Sequence, residues 1–129
     1  MQSQATDKMA VSCVRSITLV ELEAADGPAL DLLEFGVVRM DRSGTVVHYG
    51  AFESRNSGMS PGRVVGQHFF DTVTPCMNNF LVVERFATEA ELDAVIDYVL
   101  TLRMRATKVR LRLLKGSPYR HMYLLVDRS

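Results

Sequence analysis

A thiol is the common side chain that forms a stable yet activatable acyl link, and it reacts as the thiolate. This chain carries two, Cys13 and Cys76. A lone cysteine also serves as a small packing residue, so neither thiol defines a site by itself. Cys13 reads as structurally incidental. Tyr49 reads as a strand aromatic whose hydroxyl finds a partner inside the core. Glu53 on its own reads as a surface carboxylate on a polar turn, since charged side chains are mostly exposed. His48, His68 and His121 lack metal-ligand spacing, so neither zinc nor haem is expected. No catalytic triad, phosphate loop or carboxylate pair is present, and conventional enzyme chemistry is not expected.

The elements that hold these residues read as follows. Residues 12–24 fit neither the helical nor the strand period, and their form stays open. Asp26-Gly27-Pro28 breaks the chain, and a short helix is expected from Pro28 to Leu33. Phe35 to Met40 and Thr45 to Tyr49 are β-rich around the turn cluster Asp41-Arg42-Ser43-Gly44, which gives a β-hairpin. Ala51 to Pro75, punctuated by Ser57-Gly58, Ser60-Pro61-Gly62 and Gly66, suits short helices joined by tight turns. Such a segment can wall a pocket against a sheet.

Residues 86–104 carry two signals. Thr88-x-x-Glu91 resembles a helix capping box, with Leu92, Val95, Ile96 and Val99 at helical spacing. Yet Leu92, Ala94, Ile96, Tyr98, Leu100, Leu102 and Met104 alternate strictly, with Val95 and Val99 as apolar exceptions between them, and the β-branched and aromatic content favours a strand. Lys108 to Leu113 alternates without exception, Lys115-Gly116-Ser117-Pro118 is a turn, and His121 to Val126 forms a last strand. Arg103, Arg105, Arg110 and Arg112 are expected on a solvent face. The sum is an α+β fold: a central antiparallel five-stranded sheet with short helices packed on one face.

Composition bounds the partners. The 129 residues suit one domain, and 47% are hydrophobic. Fifteen basic and fifteen acidic residues cancel, so neither nucleic acid nor a membrane surface is expected as a partner. There is no apolar run of about 18 residues and no secretory pattern at the N-terminus. Free thiols and a cytoplasmic location are therefore expected.

Specific residues carry a resemblance. The stretch Phe35-Gly36-Val37-Val38-Arg39-Met40-Asp41-Arg42-Ser43-Gly44-Thr45-Val46-Val47-His48-Tyr49 resembles the opening hairpin of the photoactive yellow proteins, members of the PAS-domain superfamily. Gly66-Gln67-His68-Phe69-Phe70-Asp71-Thr72-Val73-Thr74-Pro75-Cys76 is similar to that family's segment ending in the chromophore-bearing cysteine. Residues 104–111 and 124–128 are similar to its fourth and fifth strands. The match runs from about residue 30 to 128. It divides the chain into a PAS domain over residues 28–129 and an N-terminal cap or partly disordered segment over residues 1–27.

The resemblance implies a blue-light photoreceptor holding p-coumaric acid (4-hydroxycinnamic acid) as a thioester on Cys76. Tyr49 and Glu53 would donate hydrogen bonds to the phenolate oxygen, with Ser57 supporting the tyrosine. Phe69 and Phe70 would be pocket aromatics, and Tyr98 and Met104 would sit at strand positions beside the pocket. Keeping a phenol ionised in a buried site requires donors aimed at its oxygen, and Glu53 can donate only when protonated, which burial favours. The implied signal follows photoisomerisation and proton transfer from Glu53, which leaves a costly buried carboxylate. Met59 stands where an arginine is familiar, Gly50 where an asparagine is, and Leu100 where an aromatic is. The chain reads as ending with the domain, so the expected partner is a separate signalling protein, with a homodimer as a further arrangement. The alternative is a chromophore-free PAS module acting as an adaptor or dimerisation domain.

Overall fold

Period-two alternation organises the sheet. In the computed structural model, which describes residues 13–102 and 104–128, the strands are β1 (Gly36–Met40), β2 (Val46–Tyr49), β3 (Leu92–Leu102), β4 (Arg105–Lys115) and β5 (Met122–Asp127). All neighbours are antiparallel, in the order β2-β1-β5-β4-β3. Along β3, Leu92 and Leu100 are buried and Ala94, Ile96 and Tyr98 pack on the same core, while Asp93, Val95, Asp97 and Val99 are exposed. That is the pattern of a strand with one wet face.

The central strands are different. Met122, Leu124 and Val126 belong to one core cluster, and Tyr123 and Leu125 to a second. Successive side chains of a strand point to opposite faces, so β5 is buried on both. One face is covered by helices α3 (Ala51–Ser57) and α4 (Pro61–Val64), a π-helical turn (Phe69–Val73), a 3-10 turn (Pro75–Met77) and α5 (Val83–Thr88). The other is covered by residues 14–35, which include α1 (Leu19–Ala24) and α2 (Gly27–Asp31).

The N-terminal stretch whose form the sequence left open is thus a fitted cap. Thr18 and Glu21 close a capping box on α1, and Asp26 caps α2 through Ala29 N–H. Two arginines fasten the cap to the sheet. Arg39 donates to the carbonyls of Leu22 and Ala25 at 2.7 Å each and to the Tyr123 hydroxyl at 2.8 Å. Arg112 donates to the carbonyls of Val14 (2.7 Å) and Ile17 (2.6 Å) and pairs with Asp93 at 2.9 Å. Arg112 is therefore buried rather than on the solvent face the sequence predicted, because the cap covers that part of β4. Arg105 and Arg110 are exposed as expected, and Arg103 lies outside the described residues.

Residues 86–91 also differ from the predicted strand. Val83 to Thr88 form a helix, with Phe86 buried against Phe70 and Val83 packed on the same core. Thr88 ends this helix, its hydroxyl donating to the Glu84 carbonyl. Glu91 accepts hydrogen bonds from Ser117 instead of completing a cap. No described helix is long and apolar enough to cross a membrane, and no described cluster of His, Cys, Asp or Glu has the make-up of a metal site.

Candidate functional site

Tyr49 closes β2, and the chain passes straight into α3 through Gly50. Residues four apart share a helix face, which turns Glu53 and Ser57 inward together: they are the buried residues of α3. Gly58 ends the helix in the left-handed conformation at φ 79°, where a side chain would strain the backbone. The Tyr49 hydroxyl lies 2.9 Å from Ser57 Oγ, wholly inside the protein. Ser57 Oγ also accepts the Met59 N–H at 3.2 Å.

Glu53 approaches the sheet at Gly36. A Cβ on Gly36 would lie 2.8 Å from Val126 Cβ and 3.0 Å from Glu53 Cδ, with a harder clash at Glu53 Oε1. The missing side chain on β1 is thus the space the carboxylate occupies. Its partner is Arg128, just beyond β5, whose Nη2 donates to Glu53 Oε2 at 2.7 Å and whose Nε reaches Oε1 at 3.4 Å. Burial pushes the Glu53 pKa above the ordinary carboxyl range, against the pull of the guanidinium. Burial, and then the nearby Glu53 charge, raises the Tyr49 pKa far enough that the phenol stays protonated across the neutral range. The sequence predicted Glu53 as a donor to a ligand; here its carboxyl accepts from an arginine.

Cys76 lies in the 3-10 turn, half-buried against the core cluster that contains Tyr49, Phe69, Phe70 and Leu100. The two phenylalanines meet edge to face, with centroids 5.3 Å apart. The backbone carbonyl of Cys76 is clamped twice. It accepts the Tyr98 hydroxyl at 2.6 Å and Asn79 Nδ2 at 3.0 Å, and that amide also reaches the Tyr98 oxygen at 2.7 Å. Asn79 Oδ1 accepts the N–H groups of Leu81 and Val82, tying the following loop to the same point. Cys13 is exposed on the other side of the chain's cap, and both thiols are free.

Five of the predicted residues, Tyr49, Ser57, Phe69, Cys76 and Tyr98, therefore face one core or touch a residue that does, and Glu53 is buried on α3 beside Gly36 and Arg128. Met104 is not among them. Strand pairing runs to Leu102–Arg105, which leaves Met104 in the turn, 98% exposed and at φ 64°. It is not at the strand position the sequence predicted.

With this geometry in view, comparison with known proteins is specific. The chain is 33% identical over 96 residues to the photoactive yellow protein of Rhodothalassium salexigens, spanning 70% of this chain and 77% of that one. The chain belongs to the photoactive yellow protein family. A second such protein, from Halochromatium salexigens, is 33% identical over 90 residues, with 67% and 72% covered. Among solved structures, the photoactive yellow protein domain of the sensor histidine kinase Ppr from Rhodospirillum centenum superposes with a TM-score of 0.74 at 31% identity, covering 81% of this chain and 95% of that one. A PAS domain of an HTR-like protein from Haloarcula marismortui matches at TM-score 0.61 and 14% identity, covering 84% and 94%, which shows the PAS fold alone. No protein-family model matches the chain.

Three residues around this candidate site escaped the sequence reading. Gly36 had a signal, since a glycine inside a strand marks a close approach. Asn79 was the polar interruption in an apolar stretch. Arg128 had no signal, because nothing in the chain order places residue 128 beside residue 53.

Proposed function

We propose that this protein is a blue-light sensor domain that holds p-coumaric acid as a thioester on Cys76. The observation that carries the reading is the buried Tyr49–Ser57 pair, set in the same core as the half-buried Cys76. Either hydroxyl of the pair can donate, and when Ser57 donates to Tyr49 the phenol proton is left for an acceptor on a ligand. Burial keeps that proton on Tyr49, so the residue serves as a donor to an anion.

The residues present fit such a group at the sulfur and at the tyrosine. Cys76 supplies the attachment atom, and the double clamp on its carbonyl by Tyr98 and Asn79 fixes the turn that presents it. Phe69 and Phe70 supply apolar walls. When bound, p-coumaric acid supplies a light-isomerisable double bond and a phenol that can be ionised. Glu53 is the neighbouring titratable group, whose hold on a proton burial strengthens and Arg128 opposes. A change of charge at Glu53 would disturb its pairing with Arg128 at the end of β5, giving a route from the site to the surface for a separate signalling partner. The related domain from a sensor histidine kinase agrees with such a role.

The second reading, a chromophore-free PAS interaction module, is favoured by the Glu53–Arg128 pair, which satisfies the carboxyl without any ligand. One experiment separates the two. The apoprotein is mixed with activated p-coumaric acid, and the visible spectrum and intact mass are recorded. The sensor reading expects a visible band and a matching mass gain, both lost in Cys76→Ser. No adduct, under conditions that load a photoactive yellow protein, leaves the interaction module.

A further inference from the structure

Between α3 and the β3–β4 hairpin lies a cleft of about 450 Å³. Its wall carries Arg55, Arg105 and Arg128, with Asn56, Ser57 and Thr107 as neutral polar groups, and no carboxylate lines it. In a chain whose charges sum to zero, three arginines lining one concave surface are a local excess of positive charge. Arg128 pairs with Glu53, and the Arg55 guanidinium lies over the Phe52 ring at 5.8 Å.

The cleft touches the buried site at two points. Ser57 lines it and holds the Tyr49 hydroxyl; Arg128 lines it and holds the Glu53 carboxyl. Guanidinium groups bind planar or tetrahedral oxyanions through paired N–H donors, and three arginines around one cleft favour a compact ligand with more than one negative oxygen. The volume is that of a small-molecule site rather than a flat contact.

We propose that this cleft binds a small oxyanion, a carboxylate or a phosphate, on Arg55, Arg105 and Arg128, and that the bound ligand competes with Glu53 for Arg128. The consequence is directional. Once Arg128 turns to the ligand, Glu53 loses its counter-charge inside the protein and takes up a proton. An external anion thereby converts Glu53 from acceptor to neutral donor beside Tyr49. The binding itself does not rest on the chromophore reading, because it is measured on a chain that cannot be acylated.

The test uses the full chain carrying Cys76→Ser at low ionic strength, titrated calorimetrically with inorganic phosphate and, separately, with malonate. Saturable binding is expected for at least one, and the tighter of the two identifies the ligand as phosphoryl or carboxylate. The double variant Arg55→Ala/Arg105→Ala should weaken it tenfold or more, while Arg63→Ala, on a different surface, should leave it unchanged. Saturation should also bring up the infrared carbonyl band of a protonated carboxyl, absent from Glu53→Gln. No saturable heat, equal affinity in the double variant, or the same response to chloride would overturn the site. Binding of an acidic peptide or an oligonucleotide without either small anion would overturn it too. Saturation without the Glu53 band would overturn the competition.

Discussion

A buried carboxyl with a raised pKa makes stability depend on pH in the sense opposite to most acidic groups. In the folded protein Glu53 holds its proton more tightly than in the unfolded chain, whose glutamate titrates near pH ~4.3. Its stabilising contribution is full below that value and is lost as pH rises through the folded pKa. Glu53→Gln cannot titrate, so the stability of the native sequence relative to this variant should fall as pH rises from about 4. Urea midpoints taken across the acid-to-neutral range check this. Arg128→Ala removes the guanidinium that opposes burial and should carry the fall to higher pH. Gly36→Ala should cost about 1–3 kcal/mol by overpacking and should displace the Glu53 carboxyl, read from the same denaturation series. At this scale Cys76, Tyr49, Glu53 and Ser57 were legible in the chain, through a family resemblance that the four-residue spacing on α3 supports. The counter-charge was not, because Arg128 meets Glu53 only through tertiary folding.

The elements around Cys76 are positioned by one asparagine. Asn79 bonds the Cys76 carbonyl and the Tyr98 hydroxyl with its amide nitrogen, and two following N–H groups with its oxygen. Asn79→Ala should destabilise the protein by about 0.5–1.5 kcal/mol, since it removes hydrogen bonds to part-buried polar groups. If p-coumaric acid loads, the variant should also hold it less rigidly, giving a broader visible band. β3 was legible because Leu92 to Leu100 keep strict alternation. Residues 86–91 were not, because Thr88 and Glu91 mimic the start of a helix where one in fact ends, and Phe86 takes its seat against Phe70 only in the fold. The Met104 position was misread for a related reason: alternation continued through the sequence beyond the point where β3 and β4 pair.

At the scale of the molecule, the fold is a sheet wrapped on both sides. The sequence showed the helical side and a short helix after Pro28, but not that residues 14–35 cover the second face, because residues 12–24 follow no single period. What fixes that cap is polar. Arg112 alone serves two of its carbonyls from inside the protein. Arg112→Leu should leave those carbonyls unsatisfied at about 1–3 kcal/mol each. Hydrogen exchange should then quicken first at residues 14–25 rather than in β1 or β5.

The strand order has a further outcome. β1–β2 and β3–β4 are each local hairpins, and β5 alone bridges them. Until Met122–Asp127 slots between, the hairpins have no shared ladder, and the guanidinium that answers Glu53 has yet to arrive. The shared ladder and the charge neutralisation of Glu53 thus depend on the same last segment of the chain. A fragment lacking residues 116–129 should stay open, and the matching peptide, supplied separately, should restore native circular dichroism.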